Sequence, residues 1–208
     1  HIYKREPSFP IAVACDPAFN FVYEANIRYL HHLGEVTYFS PLADTSLPDA
    51  GFVYLPGGYP ELYLAALSAN RQMLQSIRRY VESGGKLLAE CGGMMYLCDE
   101  IRDKNGYVYP MAGVLHQSAT MENMKLRLGY RTLLYNETRL KGHEFHYSRL
   151  VEQQNPLPSC AVAYTAKGVE TDTPLYHYKN VWAGYTHLYW ADPVGNEWFT
   201  KFVIDGNI

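Results

Sequence analysis

The chain has 208 residues, of which 48% are hydrophobic and 19% charged, with a formal net charge of −3. This suits one globular core of enzyme size, and with no long basic run it argues against nucleic acid as a partner. No stretch approaches the roughly 18 consecutive apolar residues of a membrane-crossing helix, and His1–Pro10 lacks the apolar centre of a signal peptide. Four cysteines stand at positions 15, 91, 98 and 160 with no CxxC pair. That spacing speaks against a zinc ribbon or a dithiol redox motif, and the absence of a disulfide framework fits a reducing cytoplasm.

In chain order, residues 1–10 read as a tail or linker remnant and residues 11–208 as one domain. Ile11–Cys15 is a short apolar strand, closed by Cys15 as a small buried residue. Tyr23–Leu33 spaces Ala25, Ile27, Leu30 and Leu33 as one helical face and stops at Gly34. Val36–Phe39 and Phe52–Leu55 are strands, the second running into Pro56-Gly57-Gly58. Leu62–Leu67 and Met73–Val81 read as helices, the latter ended by Ser83-Gly84-Gly85, and Lys86–Ala89 is a fourth strand. This alternation predicts an α/β fold with a mostly parallel, doubly wound central sheet, flanking helices, and functional loops at the carboxyl ends of the strands. From Gly106 to Tyr189 the texture changes to β-formers and turns, giving a β-rich second half with antiparallel pairing. Within it Val181–Tyr189 is expected to be one late strand carrying His187, and Glu197–Val203 a closing helix.

The most specific local signal is Leu87–Tyr96, LLAECGGMMY. A buried strand runs into a cysteine, two glycines and a run of helix formers, the pattern of a nucleophile elbow. Cys91 is the candidate nucleophile, and a helix N-terminus behind it is expected to lower its thiol pKa. Cys98 falls on that helix as a core residue. A thiol needs a base, and of eight histidines His187 is the candidate; on position alone a satisfied core histidine fits as well. His31 and His32 suit a helix C-terminus, and His177 carries no signal. The backbone N–H of Gly57 or Gly58 could join that of Gly92 as an oxyanion hole, although an isolated Gly-Gly before Pro60 also makes a plain tight turn. In Gly142–Ser148, GHEFHYS, strand alternation puts His143 and Phe145 on one face and Glu144 and His146 on the other. The two histidines therefore cannot share a metal, and none is expected. No GxxxxGK[ST] or GxGxxG pattern supports an ATP site within these residues.

Taken in order, Ala18-Phe19-Asn20-Phe21, Phe39-Ser40-Pro41-Leu42, Gly57-Gly58-Tyr59-Pro60-Glu61, Ala89–Tyr96 and Gly142–Ser148 resemble the glutaminase domain of the cobyrinic acid a,c-diamide synthases. The resemblance spans about Ile11 to Asp192. It implies a class I, triad-type glutamine amidotransferase on a flavodoxin-like fold, serving cobalamin biosynthesis. Glutamine would be the substrate, attacked by Cys91 with His187 as base, while Gly57, Gly58 and Gly92 hold the oxyanion and His146 contacts the pocket. No cofactor is implied here. An N-terminal ATP-binding synthetase domain would be the partner, using ATP and Mg2+ and presenting the corrin substrate. One position departs from the pattern: where triad amidotransferases carry a glutamate two residues after the histidine, this chain has Tyr189. The resemblance then implies a Cys-His dyad; Glu144 is a candidate third member, whereas Glu90 should point away from Cys91. A cobyric acid synthase domain, a docking module without turnover, and a cysteine hydrolase on the same fold are the alternatives.

Overall fold

A computed structural model describes residues 9–205, with the side chain of Asp205 excepted. The expected tail lies outside the described residues as far as Ser8, and Pro10 already belongs to a strand. The first half alternates as expected. Strand β1 (Pro10–Ala14) leads to helix α1 (Glu24–Leu33) and then to β2 (Glu35–Phe39) and β3 (Phe52–Leu55). A 3-10 turn over Pro60–Leu62 precedes α2 (Leu64–Ala69) and α3 (Arg71–Glu82); β4 (Leu87–Glu90) and α4 (Gly92–Leu97) complete the elbow. In α3 the side chain of Asn70 accepts from the Met73 N–H, and Met73, Leu74, Ile77 and Val81 form its buried stripe.

The second half is nearly all strand: β5 (Cys98–Arg102), β6 (Val108–Pro110), β7 (Leu115–Thr120), β8 (Arg127–Tyr135), β9 (Thr138–His146), β10 (Arg149–Leu150), β11 (Val162–Thr165), β12 (Glu170–Thr171), β13 (Leu175–Tyr178), β14 (Val181–Gly184) and β15 (His187–Leu188). Helix α5 (Pro193–Thr200) runs into a wide final turn over Lys201–Asp205. The central sheet has the order β13-β14-β4-β3-β1-β2, parallel throughout except for the β13–β14 pair. Beside it lie a four-stranded sheet, β10-β7-β5-β6, and a five-stranded antiparallel sheet, β12-β11-β8-β9-β15.

The inner strands β1, β3, β4 and β14 are buried on both faces and accordingly mostly apolar, whereas the edge strand β2 is largely exposed. Leu87 and Ala89 enter one core with Met73, Ile77 and Val81, whereas Leu88 enters the other with Tyr54, Trp182, Trp190 and Phe199. Three expectations need correction. Val181–Tyr189 is not one strand: β14 pairs in parallel with β4, the chain turns at Tyr185-Thr186, and β15 joins β9 in another sheet. Cys98 is buried as expected but opens β5 rather than lying on the helix, because α4 ends at Leu97. Cys15 is exposed rather than buried, because β1 ends one residue before it.

Candidate active site

β4 delivers Cys91 into a turn at φ 52 and ψ −108, and α4 starts at the next residue. A non-glycine residue in that region of backbone space is strained and is held there by its surroundings. The Cys91 N–H donates to Gly184 O of β14 at 2.7 Å, and its carbonyl accepts from Met95. Glycine is required next to it. A Cβ on Gly92 would meet Pro60 Cδ at 2.8 Å and the Gly58 carbonyl and amide at 3.1 and 3.2 Å, and one on Gly93 would collide with the Leu55 carbonyl. The backbone of Gly58, at φ 156, therefore lies directly against that of Gly92.

Cys91 and His187 share a cleft. With Phe21, Gly58, Tyr59 and Phe145 they line one small cleft of about 10 Å³, room for a single water at most. Among the described residues, the Cys91 thiol donates to the Phe145 carbonyl at 3.5 Å and makes no hydrogen bond to His187. The His187 ring is fixed by packing. It stacks on His143 at 4.9 Å and 15°, meets Phe21 edge-on at 4.8 Å, and has Gly57 so close that a Cβ there would stand 3.0 Å from Nδ1. His143 is in turn bonded through Nδ1 to the Tyr23 hydroxyl.

Burial of both side chains opposes charge separation. Burial, then the negative charge of Glu61, push the Cys91 thiol well up, against the lowering effect of the Gly92 N–H. The expected lowering by the helix start does not prevail, because desolvation outweighs the dipole of a helix only six residues long. Burial, with His143 and His146 nearby, pulls His187 down to about 3, so both groups rest neutral.

The remaining candidates separate. Gly58 lines the Cys91 cleft, whereas Gly57 backs the His187 ring and accepts through its carbonyl from the Asn20 and Phe21 N–H groups at 3.0 Å. The alternation of Gly142–Ser148 is as expected, with Glu144 and His146 buried together. His146 donates through Nδ1–H to the Ser148 carbonyl (2.7 Å), stacks on Tyr185 at 3.6 Å, and faces a separate cavity of about 730 Å³ rather than the Cys91 cleft. Tyr189 packs edge-on against Tyr23. Glu144 is committed to Thr173 Oγ1 at 2.6 Å and lies 3.6 Å from Arg131 and 3.4 Å from His146, so it does not support His187. Burial would raise its carboxyl, but His146, Thr173 and Arg131 hold it below the usual range. Glu90 does point away from Cys91, into the opposite core, where Tyr54 and the Leu188 N–H bond it.

Sequence reasoning passed over Phe21, Tyr59, Phe145 and Glu61. The first three could have been sought as aromatics inside the quoted motifs. Glu61, the acidic residue closing Gly57–Glu61, is pushed up by burial and has one carboxylate oxygen without a partner among the described residues. Among the described residues no cluster of His, Cys, Asp or Glu is disposed to hold a metal ion, and no helix is long and apolar enough to cross a membrane.

Fold and site together define a flavodoxin-like α/β domain built around a cysteine elbow, with a histidine brought in from a neighbouring sheet. The chain belongs to the CobB/CobQ-like glutamine amidotransferase domain family, whose model matches residues 10–194. It is 40% identical over 185 residues to a hydrogenobyrinate a,c-diamide synthase of Pseudomonas aeruginosa, covering 86% of this chain and 41% of that protein. It is 40% identical over 188 residues to a cobyrinate a,c-diamide synthase of Fusobacterium nucleatum (86% and 41%), and 38% identical over 212 residues to one of Clostridium acetobutylicum (97% and 46%). The chain thus spans less than half the length of these curated relatives. Among solved structures, PurLQS from Thermotoga maritima matches with a TM-score of 0.59 at 16% identity, covering 95% of this chain and 96% of that one. A glutamine amidotransferase from the same organism matches at 0.53 and 12%, covering 95% and 83%. At such identities the likeness shows the fold, that of class I glutamine amidotransferases.

Proposed function

We propose that Cys91 and His187 form a catalytic dyad that hydrolyses glutamine. The observation that carries the reading is the strained elbow placing Cys91 in one cleft with His187. His187 takes the thiol proton as sulfur attacks the side-chain amide carbon. The same proton goes to the leaving nitrogen, ammonia departs, and water hydrolyses the γ-glutamyl thioester to glutamate. Gly92 and Gly58 N–H groups stabilise the oxyanion, an effect worth roughly 3 kcal/mol per donor in other enzymes. Because the resting pair is neutral, the nucleophile forms by proton transfer during attack rather than as a standing thiolate. Entry of glutamine into so small a cleft requires Phe21, Tyr59 or Phe145 to move. Stacking on His143 and the edge-on contact with Phe21 take the place of a third, carboxylate member in orienting the imidazole.

The ammonia serves a synthetase part of a longer enzyme, which uses ATP and Mg2+ to amidate the a- and c-carboxylates of cobyrinic acid or its metal-free counterpart, in cobalamin biosynthesis. The names and the extra length of the relatives support this reading. A cobyric acid synthase is the neighbouring alternative, and assays with cobyrinic acid and with its a,c-diamide separate the two. The main test is Cys91→Ala in the longer enzyme. Glutamine-driven synthesis is expected to vanish while synthesis from free ammonia continues; equal loss with both nitrogen donors would overturn the reading.

A further inference from the structure

We infer that Glu90 is a positioning residue for the base: its carboxylate ties the backbone of the His187 segment to the strand that carries Cys91. The inference rests on the dyad proposed above. β15 is the last strand of its sheet, so the outward N–H and C=O of Leu188 have no strand to pair with, and Leu188 is 2% exposed. A buried edge must find partners elsewhere. Both are side chains: the Leu188 N–H donates to Glu90 Oε2 at 2.7 Å, and the Leu188 carbonyl accepts from Asn26 Nδ2 at 2.8 Å. Asn26 also accepts from the Trp190 N–H at 2.9 Å. The other edge of this segment is held by β9, through the pairing of His187 with His143 and the bond from the Tyr189 N–H to Lys141.

Glu90 is well placed to transmit position. It is bonded covalently to Cys91, and Leu188 to His187, so one hydrogen bond closes the loop between nucleophile and base across 98 residues of sequence. Its rotamer is set by Tyr54, whose hydroxyl donates to Oε1 from the adjacent strand β3 and whose ring packs edge-on against Trp190 at 4.9 Å. Burial pushes the Glu90 carboxyl up to about 8, while the two donors favour its charged form. The His187 ring has no hydrogen bond of its own among the described residues, so its place relative to Cys91 depends on its backbone and on ring packing. Glu90 touches neither cleft nor substrate. It does from the opposite face what a carboxylate beside the imidazole does elsewhere, by fixing the main chain instead of the ring.

The experiment uses the longer enzyme and compares Glu90→Ala, Glu90→Gln and Tyr54→Phe, measuring kcat and KM for glutamine and the rate driven by free ammonia. Glu90→Ala is expected to lower glutamine-dependent kcat about 30-fold, within the range for a base displaced by a fraction of an ångström, with KM within about twofold and the ammonia-driven rate unchanged. Glu90→Gln keeps an acceptor for the Leu188 N–H and should stay within about threefold of wild type, and Tyr54→Phe should fall between the two. Wild-type kcat in Glu90→Ala would overturn the inference and leave the dyad standing; so would equal impairment of Glu90→Gln and Glu90→Ala. If Glu90→Ala does not fold, Tyr54→Phe decides: a fall in kcat alone supports the tie, and an unchanged kcat overturns it. A wild-type enzyme unable to use glutamine while using ammonia would sink the dyad reading itself.

Discussion

Replacing Gly57 by alanine adds one methyl group at a position whose backbone lies outside the left-handed region, so the main chain accepts it. The obstacle is the His187 ring: the new Cβ would stand 3.0 Å from Nδ1, 3.4 Å from Nε2 and closer still to Cε1. Ordinary contact between such atoms is about 3.5–4.0 Å, so clearing Cε1, the nearest atom, makes the ring retreat by more than about 1 Å. It cannot slide freely, because His143 stacks at 4.9 Å and Phe21 meets it at 4.8 Å. Overpacking of this kind costs about 1–3 kcal/mol in stability, while a base displaced by about 1 Å costs on the order of a hundredfold in rate. Gly57→Ala is therefore expected to lower glutamine-dependent kcat by about two orders of magnitude while the protein stays folded and ammonia-driven synthesis persists. Steady-state kinetics with both nitrogen donors, beside a thermal melt, read this out. A kcat within about threefold of wild type would refute the claim that Gly57 is a glycine because of the His187 ring.

Thiol reactivity gives a second test. Cys15 is exposed whereas Cys91 is buried with a raised thiol, so iodoacetamide should modify Cys15 first, as peptide mass mapping over time would register. Glu61→Gln removes the negative charge that helps raise the Cys91 thiol and should shift the pH midpoint of Cys91 alkylation downwards; an unchanged or higher midpoint would contradict the assignment. Acid stability gives a third. His187 is held down to about 3 from 6.5 by burial, so below about pH 6.5 the unfolded chain binds a proton that the folded one refuses, and stability falls as pH drops towards 3. His187→Gln should flatten the melting temperature between pH 6.5 and 4; parallel profiles for variant and wild type would refute the shift.

Much of the site was legible because its signals are local. Cys91-Gly92-Gly93 announces the elbow within a few residues, and the structure adds only the reasons: the backbones of Gly58 and Leu55 leave no room for side chains. The two-residue period of a strand placed Glu144 and His146 together on a buried face, and turned Glu90 away from Cys91. What failed depended on distant partners. Val181–Tyr189 reads as one strand because apolarity runs through it, yet its ends pair with different sheets, β4 for one and β9 for the other. The thiol pKa was misjudged because the sequence displays the helix start and hides the desolvation that outweighs it.

The sequence by itself determined the α/β order of the first half, the cysteine elbow, and the family motifs, since propensity, turn chemistry and side-chain period act over neighbouring residues. Only the tertiary structure decided that His187 joins the Cys91 cleft by a turn out of the central sheet, that Gly58 rather than Gly57 adjoins Gly92, and that the cleft is small. It also decided what surrounds His187 where position 189 offers no carboxylate: a stacked His143, an edge-on Phe21 and, on the next residue, the bond from the Leu188 N–H to Glu90. Those contacts join segments as far apart in the chain as Phe21 and His187, and their geometry comes from sheet order and burial, which no local pattern encodes.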